Sequence, residues 1–409
     1  MAFKTRFSLG VALAMALGAC LYADTAMAQT AAPPLRCLIV GGGPDKDYNQ
    51  VAIESNVRYV QRLLPAGTKR RILFTNGSLT AANVQYEDTR GRERFRPTLL
   101  KNIDGPARYA TFQKTFEGLA ADPKGPLLLY FTGHGSPDDD GSFANNAYDM
   151  WGNDLLTVDT LSDALDAAPT STPTVLVMAQ CFSGAFADTV FRAASAKGPA
   201  LRPNFCGFFA SISVRPAAGC TPEVNEANYH DFTSYFFGAL SGRDRLGKPV
   251  TGADYDHDGR VGMNEAFAYS LIHDISIDTP VATSDVFVRR YVKTPEPTIF
   301  RTPYSDLLKW STPAQAAALE GLSKQLELRG ELRLMTAYRT SKQRGEETPD
   351  EDALEEEDVL TARWIRIVRL AKTVVLAHTL TTGPNESLKT QYASLIQSEA
   401  VNPIAPKTP

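Results

Sequence analysis

The chain has 409 residues, five cysteines and a formal net charge of −4, with 43% apolar and 22% charged residues. That composition suits a globular protein with a sizeable core. It offers no basic field and no Lys/Arg cluster interleaved with aromatics, so nucleic acid is not an expected partner.

Lys4 and Arg6 precede an apolar run from Phe7 to Tyr22, and Ala26-Met27-Ala28 supplies a small-x-small cleavage pattern. Residues 1–28 read as a secretory signal peptide, with Gln29 as the mature start. A second reading stands beside it: Leu17-Gly18-Ala19-Cys20 matches a lipoprotein signal, which would tether Cys20 to the outer membrane. Both readings place the mature chain outside the cytoplasm, secreted or periplasmic. No later run approaches the roughly 18 apolar residues of a membrane span.

From Leu35 onward, short apolar runs alternate with helical periodicity. Strands are expected at 35–41, 70–75, 126–133, 174–180 and 206–213, and helices at 49–64, 109–120, 158–168 and 184–194. Strands that are apolar throughout and separated by helices predict an α/β fold, a parallel-dominated sheet with helices on both faces. Beyond residue 304 the pattern is purely helical. Thr312-Pro313 opens one helix, Leu319, Leu322 and Leu326 recur at helical spacing, and Trp364 to Val375 mark another. Nine carboxylates between Glu346 and Asp358 read as a solvated linker within this all-helical C-terminal appendage of residues 305–409.

Reactive groups in a parallel sheet gather at the carboxyl ends of its strands. Two such ends carry chemistry. "LLLYFTGHGS" (127–136) delivers His134 between two glycines, and "VLVMAQCFSG" (175–184) sets Cys181 on the turn after a strand. A thiolate at the start of the following helix faces the positive end of its dipole. Thiol and imidazole on neighbouring strands can flank one scissile bond. Each motif alone is more often a turn or a buried small residue. Their equivalent placement points to covalent catalysis. No Gly-x-Ser-x-Gly elbow or His-Glu-x-x-His helix competes with it, and "GGGPDK" lacks the final glycine of a nucleotide loop.

"YFTGHGS" and "MAQCFSG" resemble the two active-site motifs of the legumain and caspase clan of cysteine peptidases, and more closely the legumain family. The resemblance runs from Leu35 through "FFASISVRPAAGCTPE" to "HDFTSYFFGAL" (230–240). It implies a caspase-like peptidase domain over 29–304, a catalytic dyad of His134 and Cys181, and an oxyanion hole from the N–H groups of Gly135 and Cys181. The implied activity is hydrolysis of peptide bonds in a protein or peptide substrate. Acyl transfer to an amine, or a silent scaffold that only binds, are the alternatives. The pattern departs from asparagine-specific legumains, because Ala179 stands where an acidic residue is expected and Asn49-Gln50 replace an Arg-His pair. Asn49, Ser213 and Arg215 are the substrate-binding candidates that remain, the last two as a pocket wall or simply a surface strand end. In legumains a helical C-terminal segment covers the site until removed, and the helical tail here invites the same expectation, beside the alternatives that it binds a partner or simply stabilises the core.

Two further features stand outside the dyad. Cys206 and Cys220 flank an expected strand and its exit loop, and export makes them disulfide candidates. In "DYDHDGRVGMNE" (254–265), Asp254, Asp256, Asp258 and Glu265 occupy positions 1, 3, 5 and 12 of a calcium loop, with Gly259 at position 6. Arg260 would offer its backbone carbonyl. The bland alternative is a solvated acidic turn, and structural Ca2+ is the expected cofactor.

Overall fold

The computed structural model describes residues 34–122, 124–169, 171–194, 200–344 and 356–405. The expected signal peptide, Cys20, and residues 346–355 of the acidic linker lie outside the described residues. In chain order come β1 (Arg36–Gly42), α1 (Val51–Leu63), β2 (Lys69–Phe74), a hairpin of β3 (Val84–Glu87) and β4 (Glu93–Arg96), and α2 (Tyr109–Ala120). Next, β5 (Leu127–Gly133) leads into a small antiparallel sheet of β6 (Gly135–Ser136), β7 (Ala147–Met150) and β8 (Asp154–Thr157), then α3 (Val158–Ala167) and β9 (Thr174–Met178). A 3-10 helix (Ser183–Val190) precedes β10 (Phe205–Phe209), α4 (Phe232–Ser241), α5 (Met263–His273), β11 (Val281–Ala282) and α6 (Thr283–Tyr291). The remainder is helical: α7 (Glu296–Phe300), α8 (Tyr304–Trp310), α9 (Pro313–Gln325), α10 (Arg333–Arg344), α11 (Glu356–Thr382) and α12 (Glu386–Glu399).

The main sheet has the order β11-β10-β9-β5-β1-β2, parallel except for the antiparallel edge strand β11. Every residue of β1, β5 and β10 is buried, because helices cover both faces. Successive residues of β5 show this directly, since neighbours on a strand point to opposite faces. The Tyr130 ring meets Phe237 of α4, while Phe131 meets Phe112 of α2. Strand order reverses between β1 and β5, the crevice where open α/β sheets place their ligands.

Two local expectations differ from the structure. The expected helix over 184–194 is a 3-10 helix over Ser183–Val190. A Cβ on Gly184 would stand 2.5 Å from the Ser211 carbonyl, so close packing on the next loop overrides the α-helical pattern. The expected strand 206–213 stops at Phe209. Past that point the backbone N–H groups of Ser211 and Ile212 donate to Ser183 Oγ and Thr279 Oγ1 rather than to a neighbouring strand. The polar stretch after β2 contains the β3–β4 hairpin.

The helices past residue 304 share the core of the sheet. One buried apolar cluster runs from Leu35 in front of β1 to Ile404 behind α12. The buried Glu399 carboxylate of α12 accepts Thr283 Oγ1–H and the Ser284 N–H, each at 2.7 Å, at the first turn of α6. Arg366 of α11 is one of the largest fully buried side chains.

Candidate active site

Parallel pairing of β5 with β9 sets Phe131 opposite Met178, and His134 and Cys181 each follow three residues later. The two expected catalytic side chains therefore leave adjacent strand ends at the same level. Gly133 makes the turn at φ +150°, where a Cβ would come within 2.1 Å of the Gly42 carbonyl. No other residue fits there.

The half-buried His134 ring reaches into the loop that follows β1. Its Nε2 lies 2.9 Å from Gln50 Oε1, and its edge contacts the Tyr48 ring at 5.7 Å between centroids. Burial pushes the imidazole pKa down to about 4, against the opposing pull of Asp45 and a backbone hydrogen bond with Tyr48. The ring is thus neutral at physiological pH, the form able to accept a proton.

Cys181 is 2% exposed. The Ala217 N–H donates to its Sγ at 3.3 Å, and the thiol faces the Ala217 carbonyl at 3.6 Å. Phe182 turns the chain sharply at φ 59° into the 3-10 helix. The backbone of Gly135 lies against that of Cys181: a Cβ on Gly135 would be 2.5 Å from the Cys181 carbonyl. Because the His134 carbonyl accepts the Asp149 N–H, Gly135 and Tyr148 form a non-hydrogen-bonded pair of the β6–β7 ladder. The Gly135 N–H consequently points away from β7.

Of the residues expected to bind substrate, Asn49 is fully buried, with its Nδ2 donating to the Asn83 carbonyl at 2.7 Å. Its neighbour Gln50 is the one that meets the imidazole. Arg215 is also fully buried, and its carbonyl accepts the Phe182 N–H at 2.9 Å. Ser213 is half-buried at the edge of the same turn. Sequence reasoning missed Asn146, a buried residue whose Nδ2 donates to the carbonyls of Phe182 (3.1 Å) and Ser213 (2.8 Å) and whose Oδ1 accepts the Asp138 N–H (3.0 Å). One side chain ties three loops at the strand ends. Nothing local marks it, since "NNAYDM" reads as a loop and a strand start.

The expected Cys206–Cys220 disulfide is absent. Cys206 lies within β10 and its Sγ faces the Ser398 carbonyl on α12, whereas Cys220 Sγ faces the Gly133 carbonyl. Closeness in sequence put them together; strand direction sends their side chains to different neighbours.

In the acidic loop, carboxylate oxygens of Asp254, Asp256 and Glu265 lie within 4.8 Å of one another. Two oxygens bound to one calcium ion at about 2.4 Å span no more than that. Asp254 Oδ1 is buried without a hydrogen-bond partner, so the donor set fits a hard cation. Glu265 also accepts the N–H groups of Tyr255, Asp256 and Gly262, closing the loop on the start of α5. Asp258 stands outside this cluster and accepts the Arg260 N–H.

No known family profile and no curated protein matches the sequence. Solved structures with a similar arrangement include a structural-genomics protein from Geobacter sulfurreducens, at TM-score 0.35 and 14% identity over 61% of this chain and 92% of that one. Caspase-1 from Spodoptera frugiperda matches at TM-score 0.30 and 11% identity, over 51% of this chain and 69% of that one. A secreted C11 cysteine protease from Bacteroides thetaiotaomicron, solved with an irreversible peptide inhibitor, matches at TM-score 0.30 and 12% identity over 76% and 82%. At such distances these likenesses carry no activity across to this chain.

Proposed function

We propose that the chain is a cysteine peptidase, and more particularly an exported endopeptidase of the legumain and caspase type. The observation that carries the reading is the level placement of His134 and Cys181 on adjacent parallel strands, with Gly135 packed against the cysteine backbone. The Cys181 sulfur attacks the scissile carbonyl carbon while its proton passes to the neutral His134 imidazole. The carbonyl oxygen becomes an oxyanion held by the N–H groups of Gly135 and Cys181. Collapse breaks the C–N bond, and the imidazolium protonates the departing amine. Water then attacks the thioester with His134 as base, which frees the thiol and the new carboxylate.

Ser213 borders the cysteine turn and contributes to substrate binding together with Gln50, whereas Arg215 and Asn49, both fully buried, hold the loops around them. Calcium bound by Asp254, Asp256 and Glu265, with the Arg260 carbonyl adding to the shell, would stiffen the loop ahead of α5 by neutralising clustered carboxylates. Export follows from residues 1–28, with a lipid tether at Cys20 as the variant form.

Profiling a diverse peptide library, with Cys181→Ala as control, tests the reading. Cleavage at internal peptide bonds that vanishes in the control is expected, and it should not be confined to sites after asparagine, since Ala179 and Gln50 bring no charge to that pocket. Equal cleavage by Cys181→Ala would overturn the mechanism.

A further inference from the structure

The loop 274–279, between α5 and β11, is gripped from inside by α11. The fully buried Arg366 guanidinium donates to the carbonyls of Asp274 (2.6 Å), Ser276 (3.0 Å) and Asp278 (2.7 Å), and lies 3.9 Å from the Asp274 carboxylate. So clamped, the loop presents two side chains to the turns around Cys181. The Asp278 carboxyl accepts the Ala218 N–H at 2.7 Å and the Phe232 N–H at 2.8 Å. Thr279 Oγ1 accepts the Ile212 N–H at 3.2 Å and pairs with Ser211 Oγ at 3.0 Å.

Ala218 is bonded to Ala217, whose N–H and carbonyl face the Cys181 sulfur. The Ala217 carbonyl and the Ala218 N–H are two ends of one peptide group, so Asp278 holds the same peptide whose oxygen faces the sulfur. We propose that Asp278 is a positioning residue for the Cys181 thiol, and that α11 acts on the same site through Arg366. This rests on the reading of Cys181 as the nucleophile.

The chemistry of the site suits that task. Both Asp278 oxygens are used, one on the segment beside the sulfur and one on the start of α4, so the carboxyl ties the alanine-glycine stretch to that helix. Burial, with Asp274 and Asp231 nearby, pushes its pKa well above the ordinary carboxylate range. The C-terminal helices then support the site from within, which is the opposite of a cap that removal would lift.

The test is Asp278→Asn in the full chain, a near-isosteric change that turns one of the two acceptors into a donor. Glu399→Gln serves as comparison, because it alters another buried carboxyl that holds backbone N–H and hydroxyl groups away from the thiol. Cys181 alkylation by iodoacetamide, followed by peptide mapping, should change at least about threefold in Asp278→Asn and stay unchanged in Glu399→Gln. The kcat should fall about tenfold or more with KM within twofold, since small misplacements of a reacting group cost rate rather than binding. Unchanged alkylation in a folded Asp278→Asn, or an equal change in Glu399→Gln, would overturn the proposal. The alkylation rate is read without any peptide, so it decides this point even if no peptide is cleaved.

Discussion

His134 and Cys181 stand three residues beyond one pair of facing strand residues, Phe131 and Met178. Parallel strands advance together, so this equal offset brings a neutral imidazole and a buried thiol to the same rim of the sheet. Replacing Cys181 by Ala should abolish peptide hydrolysis and covalent labelling by thiol-reactive peptide analogues. His134→Ala should lower kcat by at least about 10²-fold with the fold intact. Steady-state kinetics on both purified variants check this.

The depressed His134 pKa has a definite sign. In the unfolded chain the ring takes a proton near 6.5, and in the folded chain only near 4. Stability from the neutral ring is therefore fully present above 6.5 and is lost as pH falls toward 4. The loss amounts to at most about 3 kcal/mol. Glu399 works in the opposite sense, because burial raises its carboxyl to about 7. The measurement is thus the difference in Tm between the native protein and His134→Gln at each pH, in which the native protein should lose ground to the variant as pH falls from 6.5 to 4. A difference that stays constant over that window contradicts it.

Asn146 should matter well beyond its size. Truncation to Ala leaves the Ser213 carbonyl and the Asp138 N–H without their partner, while the Phe182 carbonyl keeps only the Ala185 N–H. Unsatisfied buried groups cost about 1–3 kcal/mol each, so Asn146→Ala should lose roughly 2–4 kcal/mol by urea unfolding. Activity should drop further than Tm alone accounts for, because two of those groups flank the cysteine turn.

Calcium should raise the melting temperature of chelator-treated protein. A ligand bound only by the folded state stabilises it by mass action, about 2.7 kcal/mol at a hundredfold excess over Kd. Asp256→Asn is the informative variant: Asp256 is exposed, whereas Glu265 also closes its own loop and its loss would destabilise with or without an ion. Millimolar calcium should shift the native Tm by several degrees and the variant much less. A shift of equal size in both would leave the acidic loop without a metal role.

Much of the architecture was legible before folding was considered. The predominantly apolar runs that became β1, β5 and β9 announce a sheet buried on both faces, and glycines around His134 announce a turn. These signals are local, because burial on a strand or helix is written in its own residue spacing. The partners were not legible. Gln50 reaches His134 across 84 positions, Ala217 meets Cys181 across 36, and Arg366 meets Asp278 across 88. The same limit explains Cys206 and Cys220, near in sequence yet turned to different neighbours, and the 3-10 helix imposed where Gly184 abuts Ser211. Periodicity states which face of an element is buried; it cannot state which distant group will satisfy a buried polar atom. That is decided only when the strands align in register and each donor finds the acceptor the fold has brought within about 3 Å.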